Sequence, residues 1–343
     1  MIKKLRNFAL VVFTLMAVAV LATAIGSVPI SFKKVLGMIF SSIPGFKDIV
    51  APNWSKAHEV IVLQIRLPRV LLALLVGAGL SVSGVLFQGT LRNPLADPYI
   101  IGVSSGASLG ATLGLLFFIP RGIVGFNTLP VFAFVGALLT TIAVSRIGRR
   151  GGRLEPTSLL LAGVAIGSFL TALVSLFMVL QIQNLQDVYL WLMGSLSGRG
   201  WKHFWVILPY VFTGIVVSVW LARDLNLYLL GEETAHSLGV NVHNLQRIVL
   251  AVGSLMAASC VAVTGVIGFV GLMVPHALRL ILEAEHKRLT FHSVWVGALF
   301  LLLADTLART IFTPIELPVG IITAFVGGPF FIYLLKRGSS FYE

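Results

Sequence analysis

Ten apolar runs dominate this chain, at about 8–28, 68–91, 99–119, 128–147, 157–181, 203–222, 246–264, 267–282, 292–312 and 319–335. A helix rising 1.5 Å per residue needs about 20 apolar residues to cross a bilayer, and most of these runs have that length. In hydrocarbon every backbone N–H and C=O must be paired internally, so such runs fold as helices. Charged residues make up 11% of the chain, against roughly 25% in soluble domains. The expectation is an all-α polytopic membrane protein with ten transmembrane helices and one membrane domain over 1–343. The joins at 91–99 and 264–267 are the least defined, because apolar character barely breaks there. The single cysteine, Cys260, lies inside an apolar run, which excludes an intrachain disulfide and points to packing.

An even number of spans puts both termini on one side, and lysine and arginine choose the side. With the N-terminus inside, 15 of the 25 lysines and arginines fall on inner segments. The run RIGRRGGR at 146–153 is the densest of these. Both termini are therefore expected in the cytoplasm. The net charge of +12 is an orientation signal on this reading, and no nucleic-acid partner is expected. Lys3, Lys4 and Arg6 before an apolar run, with Ala22-Thr23-Ala24 near its end, have the outline of a signal peptide. That run is long enough to span and no soluble domain follows, so an uncleaved first helix is expected. Residues 29–65 form the only long outer segment. Pro29, Pro44, Pro52 and Trp54 predict short interfacial helices there. His58-Glu59 is no zinc-protease helix, because position 62 is Val62 where a second histidine is needed.

Small residues mark two spans. Gly77, Gly79, Ser81, Ser83 and Gly84 thin the second span, and Gly102, Gly106, Gly110 and Gly114 recur along one face of the third. That spacing lets helix backbones approach closely; the alternative is a wide pathway wall. Asn93-Pro94-Leu95-Ala96-Asp97-Pro98 breaks the chain at the inner face, since each proline disfavours helix just before it. Tyr189, Trp191 and Trp201, in an outer loop at 183–202, read as an interfacial belt.

Few ionisable residues sit at membrane depth. His276, Arg279 and Glu283 follow one helical stripe, and Asp305 and Arg309 are four apart, so they can pair on one face. In a proton-driven carrier Asp305 and Glu283 would form the relay. Each has an arginine nearby, which favours structural pairing instead. The seven histidines form no ligand cluster within a span, which argues against a bare metal-ion pathway. A chelated metal, already satisfied by its own ligands, fits better. The chain has no Gly-Lys-Ser/Thr phosphate loop, so an ATP-driven motor would be another subunit.

The longest polar interruption in the second half, 223–247, faces the cytoplasm on this topology. Within it, 231–239 reads as one short helix. Glu232 and Glu233 occupy its first turn, where the dipole favours carboxylates, and Gly239 is a natural stop. Leu230 and Leu238 leave an apolar edge bordered by charge, which suggests a docking surface. A connector lying on the bilayer surface is the alternative.

Glu233-x-Ala235-x-x-x-Gly239 resembles the Glu-Ala-Ala-x-x-x-Gly coupling loop of bacterial ABC importer permeases, with Thr234 in place of the first alanine. Other segments resemble the permease subunits of the iron-siderophore, haem and vitamin B12 importers. They include Arg66-Leu67-Pro68-Arg69, Asn93-Pro94-Leu95-Ala96-Asp97-Pro98, Gly102-Val103-Ser104-Ser105-Gly106-Ala107, Pro275-His276-Ala277-Leu278-Arg279 and Glu316-Leu317-Pro318-Val319-Gly320. The match runs in one register from about residue 60 to the C-terminus.

The resemblance implies a ferric siderophore or related chelate as cargo, carried across the inner membrane of a prokaryote. A haem or corrinoid cargo is the alternative within the family. It implies a second permease subunit, two ATPase subunits that bind ATP and Mg, and an extracytoplasmic substrate-binding protein, with no cofactor held by this chain. The ATPase contact would be Gly231, Glu232, Glu233, Thr234, Ala235, His236, Leu238 and Gly239. Arg66, Arg69 and Arg309 would pair with glutamates of the binding protein; lipid headgroup contact is the alternative, less favoured for three arginines on one mouth. Asn93, Leu95, Thr157 and Ser158 would form a cytoplasmic gate; as plain helix ends, Thr157 or Ser158 would cap the fifth span. Spans two to five and seven to ten would form an inverted repeat, which suits alternating access. An ion-coupled secondary transporter, or a membrane enzyme or scaffold, is the reading from another class.

Overall fold

The computed structural model describes residues 2–42, 53–118, 128–150, 153–181, 185–282 and 285–337; Pro44, Pro52 and Glu283 lie outside the described residues. The helices in chain order are α1 (Ile2–Ala24), α2 (Phe32–Ser41), α3 (Lys56–Val60), α4 (Leu67–Leu91), α5 (Val103–Leu113), α6 (Leu129–Ile147) and α7 (Pro156–Leu180). They continue as α8 (Leu185–Leu192), α9 (Trp201–Leu229), α10 (Glu232–Ser237), α11 (Val242–Thr264), α12 (Val270–Leu282), α13 (His286–Ala308) and α14 (Val319–Arg337). A π-helical turn, Ile61–Arg66, joins α3 to α4 without a break, and a second, Gly114–Phe118, extends α5. The rest is helical or irregular apart from one short antiparallel ribbon, Arg149–Arg150 with Arg153–Leu154.

Among the described residues six helices are long and apolar enough to cross a membrane: Lys56–Leu91, Leu129–Ile147, Pro156–Leu180, Trp201–Leu229, Val242–Thr264 and His286–Ala308. Four shorter apolar helical segments join them, at Ala9–Ala24, Val103–Phe118, Val270–Leu282 and Val319–Leu334. The chain is thus a multi-pass membrane protein. α1 lies against α13 and α4 as one of the packed helices.

α4 is the axis of the fold, with α13, α9, α11 and α12 packed around it. Its small residues make this possible. A Cβ on Gly77 would collide with the Gly297 carbonyl of α13, and one on Gly84 with the Gly271 carbonyl of α12. Without side chains at these crossings the helix axes approach closely enough for backbone to touch backbone. Cys260 is fully buried beside Gly79, in the packing role expected of it.

The third-span glycines do the same job against α6. A Cβ on Gly106 would strike the Gly136 carbonyl and Thr140, and one on Gly110 would strike the Phe132 carbonyl. Gly102 faces Thr140, and Gly114 meets the ring of Phe132. The stripe forms a seam with α6, as close packing of small residues would have it.

Several boundaries differ from the hydropathy reading. α9 runs to Leu229, so 223–229 is helix and the polar connector shrinks to 230–241. Arg223 and Asp224 do not end the helix, because charge marks emergence from the bilayer while the backbone ladder continues into water. The outer segment likewise ends at Ser55, which caps α3 by accepting from the His58 N–H. Two breaks, 92–102 and 265–269, replace the ill-defined joins. Arg92 ends α4 in the left-handed region at φ 48, and Gly102 opens α5 at φ 87.

Candidate functional site

The connector between α9 and α11 is built around two glycines. Gly231 has φ 120 and Gly239 has φ 86, conformations that other residues adopt only under strain. They turn the chain into and out of α10. The Gly239 N–H bonds to the His236 carbonyl and the Val240 N–H to the Ala235 carbonyl, so the helix end is satisfied. Asn241 then caps α11 by accepting from the Asn244 N–H.

α10 is held from beneath by Ala235, which is fully buried, and by Val240. Most of its other residues face out. Glu233, Thr234, His236 and Ser237 are exposed, Leu230 is 65% exposed and Leu238 53% exposed. Glu232 is half-buried, and with Glu233, His236 and Ser237 it lines an open depression of about 1050 Å³ that His243 and Gln246 also line. The short helix thus presents two exposed leucines at its ends and two carboxylates in its first turn.

This end of the bundle is braced by contacts that sequence patterns did not single out. Arg92 donates to the Tyr228 carbonyl at 2.7 Å and lies 3.9 Å over the Tyr228 ring. Gln246 donates to the Tyr228 hydroxyl at 3.0 Å. The C-terminal ends of α4 and α9 and the start of α11 are therefore tied together directly beside α10. Asn226 Oδ1 accepts from the His286 backbone N–H at 2.9 Å and lies 2.8 Å from its Nδ1. Because Oδ1 only accepts, Nδ1 carries the proton. The available signal was a polar side chain recurring inside an otherwise apolar helix, as with Gln246 and Asn226.

The two breaks meet inside the bundle. Tyr99 Oη donates to the Ile267 carbonyl at 2.7 Å and accepts from the Ile267 N–H at 3.2 Å. Pro98 packs on Gly271, and Gly271 lies opposite Leu80 and Gly84 near the middle of α4, so α12 starts only about halfway along it. Irregular backbone at this depth is tolerated where protein satisfies it. Of the expected gate residues, Asn93 folds an Asx turn by accepting from the Leu95 N–H at 2.9 Å, and Leu95 is 47% exposed. Thr157 is exposed, and Ser158 donates to Glu155 at 2.6 Å. Neither caps α7, whose N-cap position is Glu155.

At the other end, the three arginines expected on an open rim are buried. Arg69 is 7% exposed and grips Asp305 through Nη2 at 2.9 Å and Nε at 3.1 Å, while its Nη1 donates to Glu316 at 2.8 Å. Arg309, 4% exposed, donates to the Ala22 carbonyl and lies 3.9 Å from Asp305. Arg66 donates to the carbonyls of Thr23, Ala24 and Val28. All three hold contacts within this chain. They bolt α1, α4 and α13 together, because a buried charge must be paired or hydrogen-bonded. Asp305 is likewise held as an ion-pair partner, the structural role expected of it rather than that of a relay. Burial alone would raise the Glu316 carboxyl, but the Arg69 hydrogen bond and charge hold it below the ordinary carboxylate range. Trp191, expected in an interfacial belt, is 6% exposed, and its carbonyl packs against Gly265 at the second break.

The FecCD transport family matches residues 14–337. The cobalamin import system permease protein BtuC of Halobacterium salinarum is 45% identical over 278 residues, covering 81% of this chain and 74% of that protein. The Fe(3+) dicitrate transport system permease protein FecD of Escherichia coli is 38% identical over 336 residues, covering 96% and 99%. A solved inward-facing conformation of a metal-chelate type ABC transporter superposes with a TM-score of 0.82 at 31% identity, covering 98% of this chain and all of that one. A family match spanning nearly the whole chain, with a close structural neighbour over its full length, makes this chain a member of the FecCD transport family of ABC transporter permeases.

Proposed function

We propose that this chain is the membrane subunit of an ATP-driven importer that carries a ferric siderophore or related metal chelate across the inner membrane of a prokaryote. The observation that carries the reading is α10: buried on Ala235, bare at Leu230 and Leu238, and acidic in its first turn, in a chain that belongs to the FecCD family. Two ATPase subunits, which bind the ATP and Mg, seat against 231–239. A second permease subunit completes the path; α7, the least buried of the long helices, offers the apolar face for it.

Six long helices and four shorter apolar ones support ten spans with both termini inside. The shorter ones reach across with the help of the irregular stretches that continue them, as at 265–269. Asn93, Leu95, Thr157 and Ser158 form the cytoplasmic gate. ATP binding moves α10, and the tie from Arg92 through Tyr228 to Gln246 passes that movement to the ends of α4, α9 and α11. An extracytoplasmic binding protein docks on the outer face, where Lys33, Lys56 and Lys202 are exposed cations.

The test is co-purification of the ATPase with the permease. Glu233→Arg reverses a first-turn charge, and Gly239→Pro cannot adopt φ 86. Both are expected to abolish co-purification while the permease still inserts. Retention of the ATPase by both variants refutes the docking assignment. Uptake into vesicles lacking any ATPase, abolished by a protonophore, would establish the ion-coupled reading instead.

A further inference from the structure

A second depression, of about 430 Å³, lies between α6 and α11 at the same end of the bundle as α10. Its mouth carries Arg146 from the last turn of α6, Arg149 just beyond it, and Arg247 from the second turn of α11. Its walls are apolar, with Ile142 on one side and Leu250 and Leu255 on the other. No carboxylate is among the described residues that line it.

Two polar atoms at this groove are buried and unsatisfied. Ser254 is 2% exposed, lines the groove two turns deeper than Arg247, and its hydroxyl has no partner. The Nε of Arg149 is also buried without one. Buried polar atoms of this kind normally hold a hydrogen bond. Arg146 and Arg247 are themselves exposed. Seven residues of helix separate Arg247 from Ser254, a rise of about 10 Å. The groove thus passes from a cluster of cations to a lone hydroxyl to an apolar floor. It is continuous with the outer face of α6, where Val135, Leu139 and Ile142 are exposed.

We propose that this groove binds an anionic phospholipid. The phosphate sits among Arg146, Arg149 and Arg247, the Ser254 hydroxyl donates to an ester carbonyl, and an acyl chain lies along Ile142, Leu250 and Leu255. Guanidinium groups suit phosphate because they present a planar fork of donors. Basic pockets between membrane helices at the cytoplasmic side are chemically suited to acidic headgroups. A soluble phosphate would leave the apolar floor bare. A face of the ATPase would have to fill a groove that opens toward the hydrocarbon.

The experiment delipidates the full-length chain in mild detergent, adds back phosphatidylglycerol or phosphatidylcholine, and counts retained lipid by native mass spectrometry. Phosphatidylglycerol is expected to be retained in preference. Each arginine near an acidic headgroup is worth about fivefold in affinity. Combined Arg146→Gln, Arg149→Gln and Arg247→Gln are thus expected to weaken retention about a hundredfold. Ala251→Trp is the second variant: Ala251 is an exposed groove residue, so tryptophan blocks the floor without burdening the core. It is expected to lose the lipid while keeping all three charges. Equal retention of the two lipids, or retention unchanged in either variant, overturns the proposal. Displacement of the lipid by millimolar inorganic phosphate overturns it in favour of a free anion. Loss of ATPase co-purification in the arginine variant, with lipid retention intact, overturns it in favour of a protein contact.

Discussion

Replacing Asp305 by alanine tests whether the buried arginines hold the fold or wait for a partner. Asp305 is fully buried and accepts from two nitrogens of Arg69, with Arg309 behind it at 3.9 Å. Removing the carboxylate leaves two guanidinium groups facing each other in a site with little solvent. Breaking a buried pair in this way costs about 3–5 kcal/mol. Glu316 still holds one nitrogen of Arg69, which places the cost toward the lower end. With the unfolding entropy typical of a chain this size, that corresponds to a loss of roughly 5 °C in melting temperature. The assay is thermal unfolding in detergent, followed by tryptophan fluorescence. The double variant Arg69→Met with Asp305→Leu is expected to recover most of the loss, because an apolar pair of similar volume often replaces a buried ion pair without penalty. If Asp305→Ala melts like the parent while binding-protein affinity falls, the arginines serve the partner and the bolt is wrong.

Glu316 gives a pH signature. Its folded carboxyl titrates below the ordinary range, so its contribution is complete above the unfolded value near 4.5 and disappears as pH falls through the lower folded value. Glu316→Gln is expected to remove that part of the acid limb from a plot of melting temperature against pH; an unchanged acid limb refutes it. Tyr99→Phe removes both hydrogen bonds to Ile267 and leaves a buried carbonyl unpaired, at a cost of about 1–3 kcal/mol. Denaturant titration should show the loss, and a neutral result would mean the two breaks are not tied there. Gly110→Val drives a side chain into the Phe132 carbonyl, and α6 must move or the seam must open. Size-exclusion should show a destabilised or aggregated protein; a monodisperse variant with only its transport altered would return these glycines to the pathway.

Hydropathy alone made this a bundle of membrane helices, because hydrocarbon leaves the backbone no other way to pair its polar groups. α10 was legible for a similar reason: Gly231 and Gly239 stand where the chain must adopt positive φ, and the glutamates lie where the dipole favours them. The third-span glycines were legible as a face, but only the fold showed Phe132 and Gly136 filling the space opposite them. The intrachain partners of the outer arginines were not legible, because sequence gives an arginine's position along the chain and not its neighbours. Asp305 and Glu316 lie more than 230 residues from Arg69 and reach it only when α13 closes against α4. The tie between Tyr99 and Ile267 was hidden for the same cause, since no local period relates residues 168 apart. The apolar helices and the short polar helix follow from local solvent preference, which each segment carries in itself. Which charge is buried against which, and which glycine faces a helix and not an opening, depend on long-range packing that only the folded chain brings about.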